Sequence, residues 1–296
     1  MDILRTPDDR FDAVPGFAQP VSYLDDLRGY EGLRTAVVDT GPLDAPRTFL
    51  CLHGEPTWSF LYRKMIPVFT AAGHRVVAPD LLGFGRSDKP VDDAVYTFAF
   101  HRDHLLALLE RLDLHRVTLV CQDWGGLLGL TLPMEMADRF DGLVVMNTTL
   151  ATGDVPLSPG FVAWRDYVAK NPALDCGKLL KRAVPILSDA EAAAYEAPFP
   201  DARFKAGVRR FPALVPDAFD APGAAISRQA RDWWRTAWRG RTTMAIGLAD
   251  PVLGEPVMDQ LRSWIRDCPP PMRLPEAGHF TQEWGEPIAR EALKDN

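Results

Sequence analysis

An aspartate in the turn between an apolar run and a glycine pair is well placed for covalent chemistry. In VTLVCQDWGGLLGL, the apolar run ends at Cys121, Asp123 follows two residues later, and Gly125 opens a helical pattern. This spacing is typical of a nucleophile elbow, a sharp turn that admits only small residues two positions on either side of its tip. The tip lies at a helix N-terminus, where backbone N–H groups and the helix dipole favour an anion.

An Asp at this tip can attack a saturated carbon. A carboxylate needs no general base to become nucleophilic, and its alkylation produces an ester that water can open. The alternative is that Asp123 only caps the following helix, which is the commoner role of an isolated Asp before Gly at a helix start. The preceding strand, the glycine pair and the partners described next favour the nucleophile.

A second turn predicts an oxyanion hole. HGEPTWS directly follows an apolar strand, and a tight turn at His53 and Gly54 would leave the backbone N–H of Glu55 pointing into the site. The N–H of Trp124, after the nucleophile, is its expected partner. The alternative is an ordinary loop between a strand and a helix. We interpret His53 as a structural hydrogen-bonding residue rather than a base.

One histidine fits the base that should follow the nucleophile and the acid along the chain. His279, in EAGHFTQEW, lies after a late strand and before the last helix. His74 starts a strand. Three further histidines lie in or beside a helix, and we interpret them as surface or capping residues: His101, His104 and His115.

Asp250 is the expected acid. It follows the apolar run AIGL at a strand-to-loop corner, from which it would orient His279 and stabilise its imidazolium form. A turn Asp before Pro is its alternative role. Asn147 occupies the other strand end from which an acid could act, but an amide cannot carry the charge.

The composition is that of an ordinary globular protein. Of 296 residues, 47% are hydrophobic and 25% are charged, with a net charge of -7. The acidic balance argues against binding to nucleic acid or to an anionic membrane. We expect neither a secretory signal in MDILRTPDDRF nor a membrane helix. No metal-ligand or dinucleotide-binding spacing is present, so we expect no metal and no cofactor. The four cysteines predict free thiols in a reducing cytoplasm: Cys51, Cys121, Cys176 and Cys268.

Short apolar runs alternate with helical patterns on both sides of a proline-rich helical segment over 150–222. This alternation predicts one α/β domain, with a mostly parallel sheet, interrupted by a helical insertion. Strands are predicted within 47–53, 74–80, 116–121, 143–147, 241–248 and 271–276. Helices are predicted within 58–73, 97–114, 126–140 and 256–266, and from about 285.

These motifs together resemble the haloalkane dehalogenases of the α/β-hydrolase fold. The resemblance rests on HGEPTWS, DLLGFGRSDKP, CQDWGG, Asp250 and EAGHF, and it extends from about residue 30 to the end. The elbow and DLLGFGRSDKP indicate only the fold, whereas HGEPTWS and a Trp after an Asp nucleophile are much narrower. The resemblance implies a helical cap domain, 150–222, inserted after the sixth strand of a core domain made of 1–149 and 223–296.

The resemblance also assigns leaving-group binding to tryptophans. An indole N–H is an uncharged donor, and it binds a developing halide strongly in a dry pocket. Trp124 would be one donor. Part of the family takes the second from an Asn at the position of Glu55, so that donor is missing here. The other arrangement uses a cap Trp, and GFVAWRDY indicates Trp164, whose alternative role is cap packing. We interpret the rival tryptophans as structural: Trp58, Trp233, Trp234 and Trp238.

An apolar substrate pocket is the remaining expectation for the site. Each residue that the resemblance places there could equally belong to the core. The expected lining is Phe161, Phe211, Pro212, Val215, Val252 and Leu253.

The resemblance implies a cofactor-free hydrolase that converts a small apolar halogenated substrate to an alcohol, a halide ion and a proton. Epoxide hydrolases are the alternative, but they typically have Phe at the position of Glu55 and need two cap tyrosines. Tyr167 and Tyr195 stand here in unlike contexts. Fluoroacetate dehalogenases carry Arg at the position of Trp124. A non-catalytic receptor is disfavoured by the intact Asp–Asp–His set. We expect a cytoplasmic monomer that binds neither nucleic acid nor membrane.

Overall fold

An eight-stranded sheet, parallel except at one edge, lies at the centre of residues 1–294, which the computed structural model describes. Its strand order is β10-β9-β8-β7-β4-β5-β3-β2, and β3 runs antiparallel to both β5 and β2. β1 and β6 form a separate antiparallel pair. The strands are β1 Ile3–Leu4, β2 Val21–Leu24, β3 Thr35–Thr40, β4 Thr48–Leu52, β5 Arg75–Pro79, β6 Lys89–Pro90, β7 Val117–Cys121, β8 Phe140–Met146, β9 Arg241–Gly247 and β10 Met272–Leu274.

Helices cover both faces of this sheet. Along β4, Leu50 and Leu52 join one apolar core while Phe49 and Cys51 join the other. Burial on both faces explains why this parallel strand is apolar from Phe49 to Leu52. The helices are α1 Ile66–Ala71, α2 Phe98–Arg111, α3 Asp123–Gly129, α4 Pro159–Lys170, α5 Cys176–Ala183, α6 Asp189–Glu196, α7 Ala206–Leu214, α8 Ala224–Thr236, α9 Glu255–Trp264 and α10 Gly285–Ala292.

The helices α4–α8 are inserted between β8 and β9, and β8 is the sixth strand of the large sheet along the chain. This confirms the fold class that the sequence predicts. Ser158 caps α4 by accepting from the N–H of Phe161 at 3.1 Å. Within residues 1–294, no helix is long and apolar enough to cross a membrane. The thiols of all four cysteines are free.

Two helix predictions were wrong in extent. The helix predicted over 126–140 ends at Gly129, and Phe140 already belongs to β8. Pro133 explains the early end, because proline has no backbone N–H and disfavours a helical residue before it. The helix predicted over 58–73 is a 3-10 turn followed by α1, which begins beside Pro67, where the missing N–H costs nothing.

The prediction that His101 and His104 lie at the surface was also wrong, because both side chains are fully buried. His104 Nε2 pairs with the hydroxyl of Thr35 at 2.8 Å. The ring of His101 packs against those of Tyr96 and Phe211, with centroids 5.7 and 4.6 Å away. Burial disfavours the charged form and lowers the pKa of His104 to about 4. Both rings therefore serve the core.

Candidate active site

The elbow at the end of β7 puts Asp123 into the left-handed backbone region, with φ at 50°. An L-residue is strained there, and such strain persists only where the surroundings hold the chain. Here the N–H of Asp123 donates to the Asn147 carbonyl at 3.1 Å, and the Thr148 hydroxyl donates to the Asp123 carbonyl at 2.7 Å. A Cβ on Gly125 would lie 2.0 Å from the carbonyl oxygen of Leu52, so the second position after the tip demands glycine.

The turn after β4 aims one backbone donor at this aspartate. The N–H of Glu55 donates to Oδ1 of Asp123 at 2.8 Å. His53 stabilises the turn, because its Nδ1 bonds to the Gly54 carbonyl at 2.9 Å and its Nε2 accepts from the N–H of Leu81 at 2.9 Å. Burial lowers the pKa of His53. Both of its ring nitrogens are therefore engaged in structural hydrogen bonds.

His279 lies between two carboxylates. Its Nδ1 is 2.9 Å from Oδ2 of Asp250, and its Nε2 is 3.4 Å from Oδ2 of Asp123. Burial opposes protonation of the ring, but the negative charges of Asp250 and Asp123 outweigh it and raise the pKa of His279 to about 10. The two neighbouring carboxylates therefore favour the charged form of the imidazole at neutral pH.

Asp250 is the better shielded of the two carboxylates. Its Oδ1 accepts from the N–H of Val252 at 2.8 Å, and its Oδ2 accepts from the amide of Asn147 at 2.9 Å. Burial acts to raise the pKa of Asp250, but the charge of His279 and these hydrogen bonds lower it overall. The negatively charged form of Asp250 is thus favoured beside Nδ1 of His279.

Sequence reasoning missed the role of Asn147, which it considered only as a position without an acid. The Asn147 side chain donates to the Gly247 carbonyl at 3.1 Å and accepts from the Gly247 N–H at 2.8 Å. Its Oδ1 also accepts from the hydroxyl of Thr281 at 2.9 Å. One amide therefore joins β8, β9 and the loop that carries His279. A polar residue at the end of a buried strand was the available signal.

Gln122 is a second residue that sequence reasoning missed, although it adjoins the nucleophile. Its Nε2 lies 3.0 Å from Nε2 of His279 and donates to the His279 carbonyl at 3.0 Å. Gln282 donates to Oε1 of Gln122 at 3.3 Å. The two amides limit the motion of the ring and its loop.

Two cavities reach Asp123, and Phe161 lines both of them. The larger, of about 380 Å³, is also lined by His279, Glu55 and Trp164. The smaller, of about 70 Å³, is also lined by Trp124. Apolar side chains complete both walls, with Leu179, Val252 and Phe280 in the larger and Leu127, Leu150, Val215 and Leu253 in the smaller.

The two tryptophans named as halide donors thus reach Asp123 from different cavities. Trp124 is buried and packs against Phe211 with ring centroids 4.7 Å apart. Trp164 stacks on Tyr167 at 5.9 Å. Three of the rival indoles donate elsewhere: Trp58 to the Ala194 carbonyl, Trp234 to the Leu130 carbonyl and Trp238 to the Thr242 hydroxyl. The fourth, Trp233, packs against Trp234 at 5.1 Å.

Phe211 and Pro212 line neither cavity, contrary to the sequence-based expectation. Phe211 lies behind Trp124, where its ring also packs against Phe84 with centroids 4.7 Å apart. Pro212 is buried inside α7. The spacing along a helix shows which residues share a face, but only the packing of α7 shows that this face meets the core rather than a cavity. The other four expected residues line one or both cavities: Phe161, Val215, Val252 and Leu253.

The two cap tyrosines do not form a pair over the nucleophile. Tyr195 is buried, and its hydroxyl donates to the carboxylate of Glu283. Tyr167 is exposed on α4. Neither lines the larger or the smaller cavity. Neither of these two tyrosines is therefore placed to donate its hydroxyl to an epoxide at Asp123.

The chain is similar in sequence and in structure to known proteins. Residues 47–286 match a family model described as alpha/beta hydrolase fold. The chain is 43% identical to a haloalkane dehalogenase of Psychrobacter cryohalolentis, over 98% of this chain and 96% of that protein. It is 44% identical to haloalkane dehalogenase 1 of Mycobacterium tuberculosis, over 96% and 94% respectively. The solved tetrameric haloalkane dehalogenase DpaA from Paraglaciecola agarilytica NO2 superposes with a TM-score of 0.97, at 52% identity over 99% and 98%.

Proposed function

The chain belongs to the haloalkane dehalogenase family of the α/β-hydrolase fold, and we propose that it hydrolyses haloalkanes to an alcohol, a halide ion and a proton. The observation that carries the proposal is the position of His279. The ring lies 3.4 Å from the elbow carboxylate of Asp123 and 2.9 Å from Asp250. A nucleophile, a base and an orienting acid therefore meet at an apolar cavity.

In the first step, Oδ2 of Asp123 forms a bond to the carbon of the substrate. The carbon–halogen bond breaks, and the halide leaves with the electron pair. Oδ1 is the oxygen that accepts from the Glu55 N–H, so it becomes the carbonyl oxygen of the resulting ester. We assign the indole N–H groups of Trp124 and Trp164 to the departing halide, because both side chains line cavities at Asp123.

In the second step, formation of the ester changes the state of the base. Alkylation removes the negative charge of Asp123, which is one of the causes of the high pKa of His279. That pKa therefore falls, and the ring loses its proton to solvent. Neutral His279 then takes a proton from a water molecule that attacks the ester carbon of Asp123.

Collapse of the resulting tetrahedral intermediate releases the alcohol and restores the carboxylate of Asp123. The negative charge that develops on Oδ1 is held by the N–H of Glu55 and, we propose, by that of Trp124. Asp250 keeps the proton-accepting nitrogen of His279 turned toward the water. The proton that His279 takes from the water restores its charged form, and the remaining hydrogen of that water protonates the departing alkoxide. The one proton released to solvent is the one that the ring lost after alkylation, so the cycle yields one alcohol, one halide and one proton.

Bromide release from 1-bromobutane tests this function, with Asp123→Ala as the variant that lacks the nucleophile. We expect catalytic release by the wild type and none by the variant. Chlorinated, brominated and iodinated alkanes of several lengths complete the substrate set, because fluoride is a poor leaving group. Diol formation from an epoxide without halide release from any haloalkane would overturn the proposal in favour of an epoxide hydrolase.

Further proposals concern organisation. We propose that 150–222 acts as a cap domain on a core of 1–149 and 223–296, since α4 and α5 contribute Trp164 and Leu179 to the larger cavity. The monomer and the cytoplasmic location remain predictions. The relative from Paraglaciecola agarilytica is described as tetrameric. Light scattering separates a monomer of 32.9 kDa from an assembly of four times that mass.

A further inference from the structure

A second carboxyl group lies beside the nucleophile, and the proposed reaction has so far used only its backbone. Glu55 is 4% exposed, and it is among the residues that line the larger cavity together with Asp123, Trp164 and His279. Its backbone N–H holds Oδ1 of Asp123 at 2.8 Å, which fixes the position of the residue relative to the nucleophile. The carboxyl group is thus part of the surface on which a substrate would be converted.

The hydrogen bonding of this side chain is incomplete. Oε1 of Glu55 is buried and has no hydrogen-bond partner within residues 1–294. Buried carboxylates ordinarily accept several hydrogen bonds, because an ionised oxygen without them loses its hydration without replacement. A neutral carboxylic acid needs fewer hydrogen bonds than a carboxylate, because it carries no charge and requires mainly an acceptor for its O–H group. The cavity beside Glu55 is where such an acceptor would bind.

The charges around Glu55 come from three elements. Asp123 on α3 contributes a like charge, whereas His279 on the loop after β10 contributes the opposite one. From α5, the exposed side chain of Arg182 lines the same cavity, and the buried thiol of Cys176 lies close enough for Glu55 to influence its pKa. Burial and Asp123 raise the pKa of Glu55 well above its usual value, against the opposing effects of His279 and of Trp164 as a donor.

We propose that Glu55 stays a neutral carboxylic acid throughout turnover and that its O–H binds the leaving halide beside Trp164. This inference rests on the proposed dehalogenase function. The Glu55 side chain would then supply a halide donor at the position where part of the family has an Asn. The sequence analysis regarded this donor as missing. The O–H only donates a hydrogen bond, so no proton is transferred and the balance of the two reaction steps is unchanged.

The ionisation state of Glu55 then determines whether Trp164 can serve the halide. A charged Glu55 would attract the indole N–H and would repel a halide from the same cavity. A neutral Glu55 removes this competition and adds a donor. Below the pH of about 10 at which His279 loses its own charge, halide affinity should therefore fall as rising pH ionises Glu55, and this fall should be absent from a variant that cannot ionise there.

Two neutral substitutions isolate the effect of the hydrogen-bond donor. Glu55→Gln is neutral and keeps an N–H donor, whereas Glu55→Met is neutral, of similar length and has no donor. We expect Glu55→Gln to keep the bromide affinity within about twofold at neutral pH, and Glu55→Met to lose about tenfold, as expected for a hydrogen bond to a charged group. Quenching of tryptophan fluorescence by bromide measures both, and thermal unfolding shows that each variant is folded.

Infrared spectroscopy reads the protonation state without turnover. The wild type at neutral pH should show the carboxylic acid C=O band, and Glu55→Gln should lack it. Glu110→Gln, at a partly exposed carboxylate far along α2, is the matched control and should keep the band. An unchanged spectrum in Glu55→Gln, or equal loss of bromide affinity in the Gln and Met variants, would overturn the inference. Absence of halide release by the wild type would instead overturn the proposed function, and the infrared result would still report the protonation state of Glu55.

Discussion

The side-chain amide of Asn147 donates to Oδ2 of Asp250 at 2.9 Å. This oxygen is also the one that pairs with Nδ1 of His279, at 2.9 Å. Asn147, at the other strand end from which an acid could have acted, therefore stabilises the position of the Asp250 carboxylate. The position of the base depends on this amide through one shared oxygen.

Removal of that amide should weaken both the fold and the second reaction step. For Asn147→Ala we expect a loss of about 1.5–3 kcal/mol in the free energy of unfolding, as for hydrogen bonds to charged groups. We also expect the steady rate to fall more than the first halide burst, because His279 acts in hydrolysis of the ester. Urea unfolding and rapid-quench halide assays measure the two effects. An equal fall in burst and steady rate would argue against a role through His279.

Loss of the nucleophile and loss of the base should have distinguishable effects on halide release. Asp123→Ala should release no halide, whereas His279→Gln should release one halide per site and then stop with a trapped ester. The reason is that alkylation needs only the nucleophile, while hydrolysis needs the base. A burst assay followed by intact mass spectrometry detects the added alkyl group. Sustained turnover by His279→Gln would contradict the assignment of the base.

The pH dependence of stability should report the charged state of His279. Its pKa rises from 6.5 to about 10 on folding, so its ion pairs contribute fully below about pH 6.5 and are lost as the pH rises through about 10. Asp123→Asn removes one of the two charges and should lower that pKa. The difference in unfolding free energy between wild type and variant should therefore shrink as the pH rises from about 6.5 to about 10. Contributions from the other titrating groups are the same in both proteins and cancel in this difference. Parallel curves would rule out the charge of Asp123 as a cause.

Trp164 should contribute to halide binding, whereas Trp233, which lines neither cavity, should not. Trp164→Phe keeps an aromatic ring and loses the N–H, so we expect bromide affinity to fall about fivefold to tenfold. Trp233→Phe, on α8, is the control, and its affinity for bromide should match that of the wild type. Unchanged quenching in Trp164→Phe would place the second donor elsewhere, which would leave Glu55 as the stronger candidate.

A buried ion pair ties the inserted helices to the core and should matter for stability. Arg63 donates to the carboxylate of Glu283 at 2.7 and 2.8 Å, and to that of Glu191 on α6 at 2.7 Å. Glu283→Gln removes the fully buried partner of Arg63 and leaves it only the partly exposed Glu191, so it should cost about 3 kcal/mol. Glu191 is partly exposed, so Glu191→Gln should cost about 1 kcal/mol or less. Urea unfolding compares them, and equal losses would contradict the importance of burial.

The sequence by itself determined the fold class and the family. The nucleophile elbow and the oxyanion turn are each formed by a few consecutive residues. Their backbone requirements can therefore be recognised from the residue types in CQDWGG and HGEPTWS. Alternating apolar runs of strand and helix length likewise predict a parallel sheet, because burial on both faces demands apolar residues throughout a strand. These features depend on neighbours in the chain, and so they can be recognised without knowledge of distant contacts.

Only the tertiary structure decided how distant groups act on one another. Asn147 and Asp250 are 103 positions apart, and Glu55 and Asp123 are 68 apart. The burial of His101 and the place of Phe211 behind Trp124 likewise follow from packing between helices. Hydrogen bonds and desolvation depend on atoms within a few ångströms, and interactions between charges weaken with distance. They therefore depend on which residues become spatial neighbours, which the local pattern of residue types does not specify.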